Sequence, residues 1–172
     1  MNSRPIKKTK NWMVFALFAL AALLIPKPKT TDKQMASEIE RRIKTLTGQK
    51  DIIFLLMDEW YRLPTLESVK EFFNEDKTDL EKYLPTIFDC DNFAIKAWGA
   101  IQIPGWSDIA YGLMAGLHRH PSATKPGSYV DTPHAANIFV TKNDIYYHEP
   151  QTDMIKPLTK EEWPEVWVVA MA

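Results

Sequence analysis

Apolar residues fall along this chain in three regimes, and each predicts a different kind of element. From Trp12 to Ile25 they run without interruption. Past that stretch they recur every three or four residues, at Met35, Ile39, Ile43 and Leu46, and again at Leu66, Val69, Phe72 and Phe73. That spacing builds one apolar face on a helix, so helices are predicted over 32–46, with Gly48 near its C-cap, and over 66–74. In the second half the pattern shortens to alternation. Strands are predicted over 109–118, 134–141, 144–149 and 165–171, the middle two forming a hairpin around Lys142-Asn143.

The remaining segments are punctuation or ambiguous. Residues 26–31 read as a linker, Leu63-Pro64-Thr65 as a break, and 120–132 as a loop rich in Pro, Gly, Ser and Thr. Thr78-Asp79-Leu80-Glu81 has the form of a capping box and predicts a short helix. Residues 51–60 are strongly apolar, and their pattern does not separate helix from strand. Residues 90–101 predict a buried helix with Phe93, Ala94, Ala97, Trp98 and Ile101 turned inward. Helices first and mostly antiparallel strands afterwards give an α+β class, with one helix packed on a sheet.

Composition changes this picture little. The 172 residues, 45% hydrophobic and 25% charged, suffice for one domain with a real core. A net charge of −1 gives no reason to expect a nucleic-acid partner. A single cysteine excludes an intrachain disulfide framework. The N-terminus matters more. Arg4, Lys7, Lys8 and Lys10 precede the apolar stretch in the manner of a secretion signal. The stretch is shorter than the roughly 20 residues of a comfortable membrane span. Ile25-Pro26-Lys27-Pro28-Lys29 is a poor cleavage site, so an uncleaved anchor competes with a cleaved signal. Residues 1–31 are thus expected to be a signal peptide or membrane anchor with linker, and 32–172 the folded domain. That domain is expected to be secreted or membrane-anchored outside the cytoplasm, with the membrane as a partner if the segment is retained.

The candidate chemistry centres on the lone cysteine. Cys90 stands in Phe88-Asp89-Cys90-Asp91-Asn92-Phe93-Ala94 at a predicted helix start, where backbone N–H groups and the helix dipole favour a thiolate. His134 opens a predicted strand, and Glu149 ends the next one in Tyr146-Tyr147-His148-Glu149-Pro150-Gln151. A turn at Lys142-Asn143 brings His134 within a residue or two of opposite Glu149, which can then fix the imidazole tautomer. Cys90, His134 and Glu149 therefore have the layout of a nucleophile, a general base and an orienting carboxylate. The other histidines fit less well. His118 and His120 flank a predicted loop, and alternation turns His148 to the opposite side of its strand.

Asp89 and Asp91 flank the thiol, and their like charges work against a thiolate. A hard cation held by Asp89, Asp91, Asn92 or Asp153 would cancel that field, and oxygen ligands of this type suit calcium. No zinc spacing, phosphate loop or dinucleotide fingerprint is present.

At these residues the chain resembles a known family. The run from Phe88 to Ala94, the run His134-Ala135-Ala136-Asn137-Ile138-Phe139 and the run Glu149-Pro150-Gln151-Thr152 are similar to the agglutinin C-terminal domain of the Marasmius oreades agglutinin type, with relatives in phage and prokaryotic proteins. The resemblance spans roughly Tyr61 to Ala172 and includes Tyr61-Arg62-Leu63-Pro64-Thr65. It implies a papain-like fold and a calcium-dependent cysteine peptidase acting on peptide or protein substrates. Cys90 would be its nucleophile, His134 its acid and base, and Glu149 its third member. There are departures. The chain has no room for the sugar-binding trefoil that precedes the fungal domain. Asn92 replaces a frequent second Asp, and Leu84 stands where papain-like enzymes carry an oxyanion glutamine. Two other readings stand beside this one. Asp-Cys at a helix start is also similar to NlpC/P60 peptidoglycan endopeptidases, although Asp91-Asn92 replace their Ser-Gly. The departures also fit a non-enzymatic, membrane-tethered binding module on an inactive protease scaffold.

Overall fold

The structure is a computed structural model that describes residues 27–172. The apolar stretch from Trp12 to Ile25, and with it the choice between signal and anchor, lies outside the described residues. Among the described helices none is long and apolar enough to cross a membrane.

The first ladder forms where a helix was expected. β1 (Thr30–Met35) pairs antiparallel with β3 (Trp60–Pro64), with Lys33 opposite Arg62 and Met35 opposite Trp60. Residues 30–34 carry no large apolar side chain to seat a helical turn. Helix α1 (Ala36–Thr47) therefore starts four residues later than its pattern suggested. It keeps the expected buried pair Ile39 and Ile43, and Gly48 caps it in the left-handed region at φ 71°. The ambiguous stretch resolves as β2 (Ile53–Leu56).

Helix α2 (Leu66–Glu75) starts at Thr65, whose hydroxyl accepts the Ser68 N–H at 3.2 Å. The capping-box segment yields only a 3-10 turn (Thr78–Leu80). Helix α3 (Cys90–Ile101) starts at the cysteine itself. The strands β4 (Tyr111–Pro121), β5 (Tyr129–Val140), β6 (Ile145–Glu149), β7 (Met154–Pro157) and β8 (Glu165–Met171) complete the chain. Both arms of the segment expected to be a loop continue the β4–β5 ladder, with His120 opposite Val130 and His118 opposite Thr132. Long-range pairing thus overrides the loop-like composition there.

The main sheet has six strands in the order β2-β8-β4-β5-β6-β7. Only β2 runs parallel to its neighbour, so the α+β class with a mostly antiparallel sheet is met. β4 and β8 approach closely. A Cβ on Gly112 would lie 1.9 Å from the Ala170 carbonyl oxygen, and one on Gly116 would lie 2.1 Å from that of Glu165. The small residues of β4 are therefore a steric requirement of this pairing.

Each face of the sheet has its own core. On one face Ile39 and Ile43 of α1 pack with Met114, Ala136, Ile138, Tyr147, Trp163 and Val169. On the other, Val69 and Phe73 of α2 and Ala97 and Ile101 of α3 pack with Tyr111 and Phe139. Side chains alternate along β5, so Ala136, Ile138 and Val140 point to the α1 face while Asn137 and Phe139 point to the face covered by α2 and α3.

Candidate functional site

The hairpin register decides which residues meet. β5 and β6 pair with Asn137 opposite His148 and Ile138 opposite Tyr147. Continued, this puts Glu149 beside Ala136, on the same face as His134 and one strand away. The side chains meet: His134 Nε2 and Glu149 Oε2 are 2.5 Å apart, with 18% and 13% of each side chain exposed. Glu149 Oε1 also accepts the Gln151 N–H at 3.4 Å. The pair is therefore held from both carboxylate oxygens while remaining open to solvent.

Around it the face is rich in imidazole. The His118 ring lies 5.3 Å from that of His134 and 5.0 Å from that of the buried Trp163. Burial, and then the neighbouring His134, push the pKa of His118 below the ordinary imidazole value. His120 Nε2 lies 3.1 Å from the Thr132 hydroxyl, further out along the hairpin. The strip formed by His134, Glu149, His118, His120 and Thr132 presents both hydrogen-bond donors and acceptors.

Cys90 is carried by α3. It is half-buried at the first position of α3, and among the described residues its sulfur makes no hydrogen bond. The helix is fixed to the sheet by Asn137, whose Nδ2 donates to the Ala94 carbonyl at 2.9 Å and to the Gly112 carbonyl at 3.1 Å. Asn137 and His134 lie an odd number of residues apart on one continuous strand. The helix that carries the thiol therefore lies over the opposite sheet face from the imidazole. The structure brings together His134 and Glu149, and among the described residues no hydrogen bond joins Cys90 to either.

The acidic pair at the helix start serves the helix itself. The Asn92 side-chain oxygen accepts the Asp89 N–H at 3.2 Å, and Asp91 accepts the Asn92 N–H at 3.0 Å. The Asp91 carboxylate beside it raises the pKa of Asp89 above the usual carboxylate value. Two crowded carboxylates offer hard oxygens that a cation would favour. Among the described residues no third His, Cys, Asp or Glu completes a cluster able to hold one. Asp89, Asp91 and Asn92 thus supply at most part of a calcium shell, and Asp153 is committed to His148.

Sequence reasoning missed two functional elements of this architecture. His148 is fully buried, with Nδ1 2.8 Å from the Tyr111 hydroxyl and Nε2 3.3 Å from Asp153 Oδ1. Its ring lies 4.2 Å from that of Phe73. Asn137 was visible as one polar residue inside an apolar strand, and a buried amide there must find partners.

The family model described as Agglutinin C-terminal matches residues 61–155. No curated protein matches the sequence. Among solved structures, one described as a PSL1a–E64 complex superposes with a TM-score of 0.62 at 18% identity, covering 81% of this chain and 51% of its own. A second, the Polyporus squamosus lectin bound to a human-type influenza-binding epitope, gives a TM-score of 0.59 at 19% identity, covering 81% of this chain and 49% of that one. At such identities the likeness is one of fold, and the chain spans about half the length of these neighbours. The expectation of a cysteine peptidase is corrected by these findings. The family that matches is described as an agglutinin domain and a lectin is among the structural neighbours, and among the described residues no hydrogen bond joins the thiol to the imidazole it would need. The match covers more than half of the chain, including α2, α3 and β4 to β6, so the chain belongs to the agglutinin C-terminal family.

Proposed function

We propose that this chain is a non-enzymatic binding module on an inactive papain-like scaffold, and that its ligand is a glycan. The observation that carries the reading is the partly buried His134–Glu149 pair at the head of an imidazole-rich strip on one sheet face. Sugar hydroxyls donate and accept in equal measure. A fixed carboxylate and imidazole match them without needing a charge on the ligand. The glycan bound by the lectin neighbour supports the ligand class. The apolar stretch at 12–25 exports or tethers the domain outside the cytoplasm in this reading. Calcium enters it only as a weak ligand of Asp89 and Asp91, its shell completed by water.

The test is a glycan array followed by titration calorimetry of the full chain. Binding to at least one glycan is expected, lost by tenfold or more in Glu149→Gln and retained in Cys90→Ala. Failure to bind any glycan, or binding untouched by Glu149→Gln, removes the proposal.

A further inference from the structure

The turn that leads into α3 presents apolar side chains to solvent. Residues 81–87 are exposed without a break. Leu80, Ile87 and Ile95 are 71%, 74% and 54% exposed, and Tyr83 and Leu84 are exposed as well. An ion pair between Glu81 and Lys96 ties the turn to α3 next to Ile95, so these side chains form one patch. Single exposed apolar residues are ordinary on a protein surface, but five gathered around one turn and one helix start mark a contact surface.

The turn can leave water at small cost. Leu84 donates its N–H to the Phe88 carbonyl at 2.9 Å, and Ile87 and Phe88 donate theirs to the Leu84 carbonyl at 3.0 and 2.8 Å. Pro85 has no N–H to place. A hydrocarbon boundary penalises unpaired backbone groups, and this turn brings few.

Charge and chain position name what covers the patch. Lys82 and Lys96 stand against Asp79, Glu81 and Asp91, so there is no cationic excess to seek an anionic partner. A tyrosine and lysines among apolar neighbours are the residues that settle at the level of lipid headgroups. The described fold begins at Lys27, whose side chain lies 3.4 Å from where a Cβ on Gly105 would stand, just beyond the C-terminal end of α3. The apolar stretch ends at Ile25, two residues earlier, so a bilayer that held it would pass within about 7 Å of that corner. From the corner to the patch is roughly the length of α3, about 18 Å for its twelve residues. A bilayer that runs along α3 therefore reaches Ile95, Leu80 and Ile87.

We propose that this patch docks on the surface of an electrically neutral, phosphatidylcholine-type bilayer, with Leu80, Ile87 and Ile95 in the boundary between headgroups and acyl chains and α3 lying along the plane. The proposal uses the tether of the preceding reading but not its ligand. The imidazole strip lies on the α1 face, so docking through α3 leaves His134 and Glu149 turned to solvent.

The experiment uses the full chain reconstituted in phosphatidylcholine vesicles. In a Cys90→Ala background, single nitroxide labels are placed through Ile87→Cys, Ile95→Cys and, as a control on the exposed side of α1, Thr45→Cys. Collisions with oxygen, which concentrates in hydrocarbon, are compared with collisions with a water-soluble nickel chelate. The oxygen-to-nickel ratio at 87 and 95 is expected to exceed that at 45 at least about fivefold. Leu80→Asp with Ile87→Asp, at unchanged circular dichroism, brings the ratio at 95 down to that at 45 while the chain still floats with the vesicles. Labels at 87 and 95 as open to nickel as the one at 45 overturn the proposal. So do labels shielded from both reagents, which put protein over the patch, either residues 12–25 or a second copy. A ratio at 95 indifferent to the two aspartates overturns it as well, since the anchor alone would then set the depth. A parent chain that does not float with the vesicles removes the tether and this proposal together, and leaves the glycan test untouched.

Discussion

Two histidine–carboxylate pairs sit on neighbouring strands and opposite faces of one sheet, and their surroundings give them opposite roles. His148 and Asp153 lie on the α2 side, with the imidazole fully buried against Phe73 and bonded to the Tyr111 hydroxyl. His134 and Glu149 lie on the α1 side near the mouth of the β4–β5 hairpin, more tightly paired yet open to water. A buried polar group is costly to strip of its partners, so the first pair is an internal brace. The second pair keeps 18% and 13% of its side chains exposed, and in the proposed reading it is the one a ligand reaches. A short distance alone does not make a site; exposure decides what the pair can meet.

Four measurements sharpen or break that contrast. The largest effect is expected for His148→Ala, which orphans the Tyr111 hydroxyl and leaves a void beside Phe73. It should destabilise the domain by about 2–4 kcal/mol in urea unfolding. A loss under about 0.5 kcal/mol, of the size seen at ordinary surface positions, would erase the distinction between the two pairs. Glu149→Gln should cost less than His148→Ala, because an amide oxygen at this position can still accept from the imidazole and from the Gln151 N–H, while removing glycan binding.

Next comes the pH dependence. Burial and His134 hold the His118 pKa below its unfolded value, so the fold favours the neutral ring. Its contribution to stability is present above an unfolded pKa of about 6.5 and is lost as pH falls through the folded one. Melting temperature measured from pH 7.5 to 5 should fall less in His118→Gln than in the parent chain, and parallel curves would refute the assignment. The smallest effect belongs to Asp89, whose raised pKa means that its contribution is full below the unfolded value near 4 and fades as pH rises. Asp91→Asn should return the Asp89 carboxyl toward its ordinary titration in an NMR experiment. It should also abolish any calcium-dependent rise in melting temperature.

The history of His134 and His148 shows how far a pattern reaches. Alternation correctly set the two on opposite sides of their hairpin, and turn position brought His134 to Glu149. It did not reveal that His148 would find Tyr111, a residue 37 positions earlier, because that contact depends on β4 lying beside β5. The case of Cys90 is similar. Its place at a helix start was legible from Asp89 and the apolar run that follows. Which face that helix would cover was not, since the answer rests on Asn137 capturing the Ala94 and Gly112 carbonyls.

Period and punctuation in the chain determined α1 and α2, the helix beginning at Cys90, the β5–β6 hairpin and the α+β class, because these follow from contacts among residues near in sequence. Tertiary structure alone decided that residues 30–35 pair with β3 and that 118–121 and 129–132 extend a ladder. It also decided that among the described residues β2 pairs with β8 alone, and that the helix beginning at Cys90 packs on the α2 side of the sheet. The reason is common to all four. A strand has no internal hydrogen bonds, so its partner and its exposed side are fixed by segments far away along the chain, where local pattern carries no information.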